Sequence, residues 1–120
     1  MKYDALGIRM KGYEHVEKRE LTRRMPTIIR IDGCHFHSYT KRMEKPFDRD
    51  LFDAMIKTSI ELCKNISGAK LAYTQSDEIS ILLTDYDNLD TQPWFGKSVQ
   101  KLASVSASIA TAAFNRDIIS

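Results

Sequence analysis

The sequence predicts an α+β domain in which one helix is followed by strand, helix, strand, strand and helix. Three observations carry that prediction. A short β-branched run, Thr27-Ile28-Ile29-Arg30-Ile31, closes on Asp32-Gly33. Two stretches, Leu51 to Cys63 and Val99 to Phe114, place apolar residues three and four apart. Between them lie two apolar runs, 69–73 and 79–84, joined by a few polar residues. That order is most of a split β-α-β unit of the ferredoxin-like type, without a final strand within these 120 residues.

Each element has a local cause. Met1, Leu6, Met10, Tyr13 and Val16 stand loosely at helical spacing, so a first helix is expected before the basic pairs Lys18-Arg19 and Arg23-Arg24. Pro26 breaks that pattern ahead of the first strand. Residues 34–47 read as a polar loop with scattered aromatics, ending at Lys45-Pro46, and Asp48 is a suitable N-cap for the next helix. There Leu51, Phe52, Met55, Ile56, Ser59, Ile60 and Cys63 form one apolar face, with Gly68 just past the helix end. The two runs that follow are close enough to be a hairpin, with Asp77 in its turn. Asp85-Tyr86-Asp87-Asn88 reads as a turn cluster, and Gln92-Pro93-Trp94 leads into the last helix. Its buried stripe is expected to be Val99, Leu102, Ala103, Ser106, Ile109, Ala110, Ala113 and Phe114. The small residues in that stripe imply close packing on a neighbour.

Composition bounds the function. The length suits a single domain over 1–120, and a net charge of +2 does not by itself imply nucleic acid. Cys34 and Cys63 supply neither a disulfide framework nor a paired metal-ligand motif, which fits a reduced, cytoplasmic protein. No apolar run approaches the roughly 18 residues that would span a bilayer.

The chemistry-bearing residues are Asp32 and Asp77-Glu78. A strand–helix–strand crossover makes the first two strands parallel, so their C-terminal ends share one edge of the sheet. Asp32 and Asp77-Glu78 are therefore expected together, far apart in sequence though they are. Converging carboxylates repel unless a cation lies between them, and hard oxygen ligands suit Mg²⁺. Gly33 permits close backbone approach to a ligand, and its carbonyl could be a further oxygen donor. The loop Cys34-His35-Phe36-His37 could line a nucleotide site. On spacing alone, an Asp-Gly turn and a solvated hairpin tip describe the same residues, and solvated histidines describe His35 and His37.

The segments Arg30-Ile31-Asp32-Gly33-Cys34-His35-Phe36-His37, Lys45-Pro46 and Tyr73-Thr74-Gln75-Ser76-Asp77-Glu78-Ile79-Ser80, with Trp94-Phe95 opening the last helix, resemble the signature of the tRNA-His guanylyltransferase family. The bacterial and archaeal Thg1-like 3′–5′ polymerase branch is most similar. The resemblance runs from about Tyr3 to Phe114. It implies a ferredoxin-like polymerase palm that adds nucleotides to the 5′ end of tRNA, using GTP and ATP. It implies two Mg²⁺ ions held by Asp32, Asp77 and the Gly33 carbonyl, with Glu78 as a further acidic member. It implies a nucleotide-binding stretch of Asp32, Gly33, Cys34, His35, Phe36 and His37 with Ser76 and Asp77, and Lys45 and Lys101 serving the triphosphate. Homodimers or homotetramers are implied as well.

This sequence departs from the pattern at Cys34 and His35, where the family carries arginine and asparagine. It departs also at Ser98, where Lys97 beside it is the candidate substitute for a basic residue of the last helix. The resemblance places the final palm strand and later tRNA-contacting parts beyond Ser120. One sheet edge is then expected to stand unpaired, and transfer by these residues alone to be weak. A nucleotide cyclase of the same palm fold is disfavoured by the hairpin Gln-Ser-Asp-Glu-Ile, which lacks the Gly-Gly-Asp/Glu-Glu-Phe motif. The other alternative is a non-catalytic nucleotide- or RNA-binding palm.

Overall fold

The computed structural model describes residues 4–33 and 49–119. The elements run α1 (Ala5–Glu17), β1 (Thr27–Asp32), α2 (Arg49–Asn65), β2 (Ala69–Gln75), β3 (Glu78–Leu83), a 3₁₀ turn (Trp94–Lys97) and α3 (Val99–Ile119). The expected α+β order is therefore present. The strands form one sheet in the order β1-β3-β2, with β3 antiparallel to both neighbours. β1 and β2 consequently point the same way with β3 threaded between them, as a split β-α-β unit requires. Among the described residues, the outer edge of β1 is unpaired.

Alternation along the strands builds the core. Thr27 and Ile29 of β1 and Ile79, Ile81 and Leu83 of β3 are buried beneath the helices. Met55, Leu62 and Ile66 with Leu102 and Ala110 close the layer from above. Ile28, Leu71 and Tyr73 are exposed, so the opposite face of the sheet is open. α3 packs against α2, and its buried residues include the small Ser106, Ala110 and Ala113. The buried hydroxyls are satisfied along their own helices. Thr58 Oγ1 donates to the Ala54 carbonyl at 2.7 Å, and Ser59 Oγ to that of Met55 at 2.8 Å.

Three details differ from the sequence expectation. The buried face of α2 is Ala54, Met55, Thr58, Ser59 and Leu62, rotated from the apolar stripe, so that Phe52, Ile56 and Ile60 face outward. Back-bonding to the helix makes Thr58 an acceptable core residue, which is what permits that rotation. Trp94 opens a 3₁₀ turn rather than the last helix. Phe95, Gly96 and Lys97 all hold positive φ, and α3 starts afresh at Val99 and runs on to Ile119, with Val99 and Ala103 exposed. α1 forms as expected, capped by Asp4, whose Oδ1 accepts from Gly7 N at 2.7 Å, but among the described residues it buries no side chain and contacts no other element.

Gly68 turns the chain from α2 into β2 with φ 86°. A Cβ there would run into the Thr84 carbonyl oxygen, so glycine is required by both conformation and space. No described helix is long and apolar enough to cross a membrane.

Candidate active site

Register brings the acidic residues together. Asp32 is the last residue of β1 and lies directly across from Glu78, the first residue of β3. Gln75 pairs with Glu78 on the other side, which leaves Ser76 and Asp77 as a two-residue turn. Ser76 takes the left-handed conformation at φ 56°, the geometry that allows so tight a reversal. Beyond the end of β1, Gly33 N donates to the Asp77 carbonyl at 3.2 Å and ties the strand end to the turn. The sheet-edge convergence expected from topology is thus present in the backbone.

Asp32, Gly33 and Asp77 border one cavity of about 460 Å³. Ile31, Ile79, Met55 and Phe114 give it apolar walls, and Thr58, Thr111 and Asn115 give it polar ones. That volume and that mixture of lining suit a small-molecule site. Glu78 is half-buried and does not border the cavity. Among the described residues, no hydrogen bond or ion pair engages the side chains of Asp32, Asp77 or Glu78. Nor do three acidic, histidine or cysteine side chains gather there tightly enough to enclose an ion. The donor set at hand is therefore two carboxylates, the backbone of Gly33 and a third carboxylate on the neighbouring strand. All are hard oxygen ligands of the kind that suits Mg²⁺.

The other expected residues divide. Ser76 is in the turn beside Asp77. Lys101 is not brought to the cavity. It lies in the first turn of α3 with Nζ 5.7 Å from the centroid of the Phe95 ring, whereas the helical residues that border the cavity begin at Ala107. Cys34, His35, Phe36, His37 and Lys45, like the expected N-cap Asp48, lie outside the described residues. Thr111 and Asn115 were not legible as cavity residues, because their place depends on how α3 lies across the sheet.

Lys97 corrects an expectation. It does not stand in for a triphosphate-binding base, because it is buried and its charge is spent internally. Its Nζ donates to the carbonyls of Thr22 and Met25, each at 2.6 Å, and sits 3.5 Å from Asp85 Oδ1. Asp85 also accepts from Arg24 N, at 3.1 Å on Oδ1 and 2.9 Å on Oδ2. Arg24 itself holds φ 65° and clamps the carbonyls of Asn88 and Leu89 at 3.0 and 2.7 Å. Burial alone pushes the Asp85 carboxyl up. The Arg24 N–H and the neighbouring Lys97 ammonium outweigh it and hold the group below its ordinary value.

Known proteins share the sequence and the fold of this chain. The family model described as tRNAHis guanylyltransferase matches residues 7–120. A bacterial tRNA(His) guanylyltransferase (Thg1)-like protein solved in complex with GTP is 58% identical with a TM-score of 0.93, over 96% of this chain and 55% of that one. Another structure so described, in complex with ATP, is also 58% identical, with a TM-score of 0.92 over 95% of this chain and 50% of that one. A probable tRNA(His) guanylyltransferase of Dictyostelium discoideum is 31% identical over 108 residues, covering 85% of this chain and 40% of that protein. The chain spans about 40% of that curated relative and about half of the solved ones. On the match across residues 7–120, this chain belongs to the tRNA-His guanylyltransferase family.

Proposed function

We propose that residues 1–120 form the catalytic palm of a cytoplasmic nucleotidyltransferase that adds nucleotides to the 5′ end of tRNA, with GTP and ATP as substrates. The observation that carries it is the meeting of Asp32 and Asp77 on one cavity at one end of the sheet. Support comes from the family match and from the GTP and ATP complexes of the bacterial relatives.

The carboxylates of Asp32 and Asp77, with the Gly33 carbonyl, would hold Mg²⁺, and Glu78 beside Asp32 would add negative charge to that site. When bound, two such ions neutralise phosphate charge and lower the pKa of an attacking hydroxyl. The remaining work falls to the chain. Asp32 and Asp77, unpartnered among the described residues, repel a bare triphosphate, so they select for a nucleotide that arrives with its cation. The apolar walls from Ile31, Ile79 and Phe114 would limit water around a phosphate bound in the cavity. The hairpin fixes the spacing of the carboxylates, because Asp77 sits in a turn too short to wander. In the reaction the 5′-phosphate attacks the α-phosphorus of ATP and expels pyrophosphate; the GTP 3′-hydroxyl then attacks the activated 5′ phosphorus, gives up its proton to solvent and expels AMP. Cys34–His37, Ser76, Lys45 and Lys101 are assigned to nucleotide and triphosphate binding on the family resemblance.

The test is to incubate the chain with Mg²⁺, GTP and ATP and a 5′-labelled tRNA lacking its first nucleotide. Weak lengthening by added nucleotide is expected of these residues alone, and its loss in Asp77→Ala. Lengthening that survives in Asp77→Ala would refute the assignment. Nucleotide binding without lengthening would mark a non-catalytic palm.

A further inference from the structure

Phe95 has neither a conformational nor a packing reason to be phenylalanine. It holds φ 50°, a left-handed conformation that bulky side chains rarely adopt, and it stays 45% exposed. The chain nevertheless fixes it firmly. Arg24 and Lys97 also hold positive φ, and both belong to the buried cluster around Asp85. Leu21 N donates to the Lys97 carbonyl and Val99 N to the Arg19 carbonyl, each at 2.9 Å, which straps residues 19–25 to the turn that carries Phe95. The Trp94 ring backs the Phe95 ring at 4.9 Å between centroids. A strained, exposed aromatic residue held by that much structure points to use rather than to folding alone.

Charge identifies the ligand. The cluster neutralises its own cations, since Lys97 faces Asp85 and Lys18 pairs with Glu20 at 3.4 Å. Arg23 and Lys101 are left over. Both are exposed, and neither side chain has a carboxylate partner among the described residues. They come from segments far apart in sequence and meet at Phe95. Lys101 Nζ lies 5.7 Å from the centroid of its ring. The Arg23 guanidinium lies 3.7 Å from where a Cβ would stand on Gly96, the next residue. Two cations without carboxylates around an exposed aromatic ring match a phosphate and a base together. We propose that Arg23, Phe95 and Lys101 form a site for one nucleotide of an RNA strand, its phosphate between the two cations and its base stacked on Phe95. For the class of its ligand this site rests on the proposed tRNA substrate, and it moves Lys101 from the triphosphate to the RNA. Lys101 does not border the cavity, so the phosphate that it meets is remote from the reacting one. An acidic peptide would satisfy the cations and leave the ring without a partner.

Fluorescence anisotropy of the chain with a labelled single-stranded RNA, without Mg²⁺ or GTP, tests this independently of nucleotide transfer. Saturable binding is expected. Phe95→Leu is expected to weaken it about tenfold with an unchanged salt dependence, and Phe95→Tyr to keep it, because stacking needs a ring and releases no counterion. Arg23→Ala and Lys101→Ala are each expected to make the slope of log K against log salt shallower by about 0.7, the share of one phosphate contact on a single strand. Calorimetric titration with Mg²⁺ and GTP should give the parent's affinity in Phe95→Leu and in Arg23→Ala. Arg23 and Lys101 are exposed, so their variants report even where Phe95→Leu fails to fold. RNA affinity indifferent to all three substitutions overturns the inference, as does polyglutamate that competes as well as unlabelled RNA. Lys101→Ala that weakens GTP binding and spares RNA binding also overturns it, and returns Lys101 to the triphosphate.

Discussion

The two ends of the sheet both carry carboxylates, and the structure treats them in opposite ways. Beyond the C-terminal end of β3, Asp85 is buried and held by the Arg24 N–H and the Lys97 ammonium. At the N-terminal end of β3, Asp32, Asp77 and Glu78 meet with no such partner among the described residues. A carboxylate neutralised from within is part of the fold, and its removal leaves an uncompensated charge. Carboxylates brought together with no protein cation beside them among the described residues repel one another, and a bound cation would relieve that repulsion. The same residue type is thus neutralised within the fold at one end and, among the described residues, is without a protein partner at the other, where the proposed function would use it.

The sharpest break of this contrast is activity against stability at the open end. Asp77→Ala is expected to reduce tRNA lengthening roughly 10³-fold, the scale of losing an electrostatic contributor to the transition state. It removes no core contact, so its unfolding free energy should stay within about 0.5 kcal/mol of the parent. A large loss of stability in this variant would place Asp77 with Asp85 as a fold-holding residue.

The closed end should behave in reverse. Asp85→Ala is expected to cost about 3 kcal/mol in urea unfolding, because it strands the buried Lys97 charge and the Arg24 N–H. An unchanged midpoint would show that the buried pair is dispensable.

Ligand linkage gives the next largest effect. Mg²⁺ with GTP at a hundredfold excess over Kd should stabilise the parent by about 2.7 kcal/mol. The gain should vanish in Asp32→Ala, measured by thermal melts at constant ionic strength. A gain lost in Asp85→Asn and kept in Asp32→Ala would reverse the two assignments.

The smallest effect is a pH dependence. Asp85 has its carboxyl held below its ordinary value of 3.8, so its contribution is fully present above that value. It is lost as pH falls through 3.8 toward the lower folded value, since the unfolded chain takes up the proton first. The stability gap between the parent and Asp85→Asn should therefore narrow below about pH 4. A gap that stays constant through that range would mean that Asp85 does not titrate against Lys97.

Much of the open end was legible in the sequence. Asp32-Gly33 closes a β-branched run and Asp77 falls in a hairpin turn, so the crossover rule alone placed them at one edge. The closed end was not legible. Arg24 and Asp85 are 61 positions apart, and Lys97 and Thr22 are 75 apart. Asp85 read as a turn residue and Lys97 as a candidate basic residue of the last helix, because neither hydrophobic period nor turn chemistry reports on a pairing across that distance. Lys101 shows the converse. A helix position can be assigned from sequence, but its distance from the cavity depends on where the helix crosses the sheet.

The sequence by itself determined the kinds of element, their order and the edge at which the carboxylates meet. These follow from local periodicity, from the turn at Ser76-Asp77 and from the handedness of the crossover. Only the tertiary structure decided which way α2 turns, that Trp94 opens a separate 3₁₀ turn, and that Lys97 and Asp85 neutralise each other. Those outcomes come from packing two helices on one face of a sheet. There a back-bonded Thr58 can be buried, while Ile56 and Ile60 are left outside, and a long-range ion pair can override the helical preference of the residues that carry it.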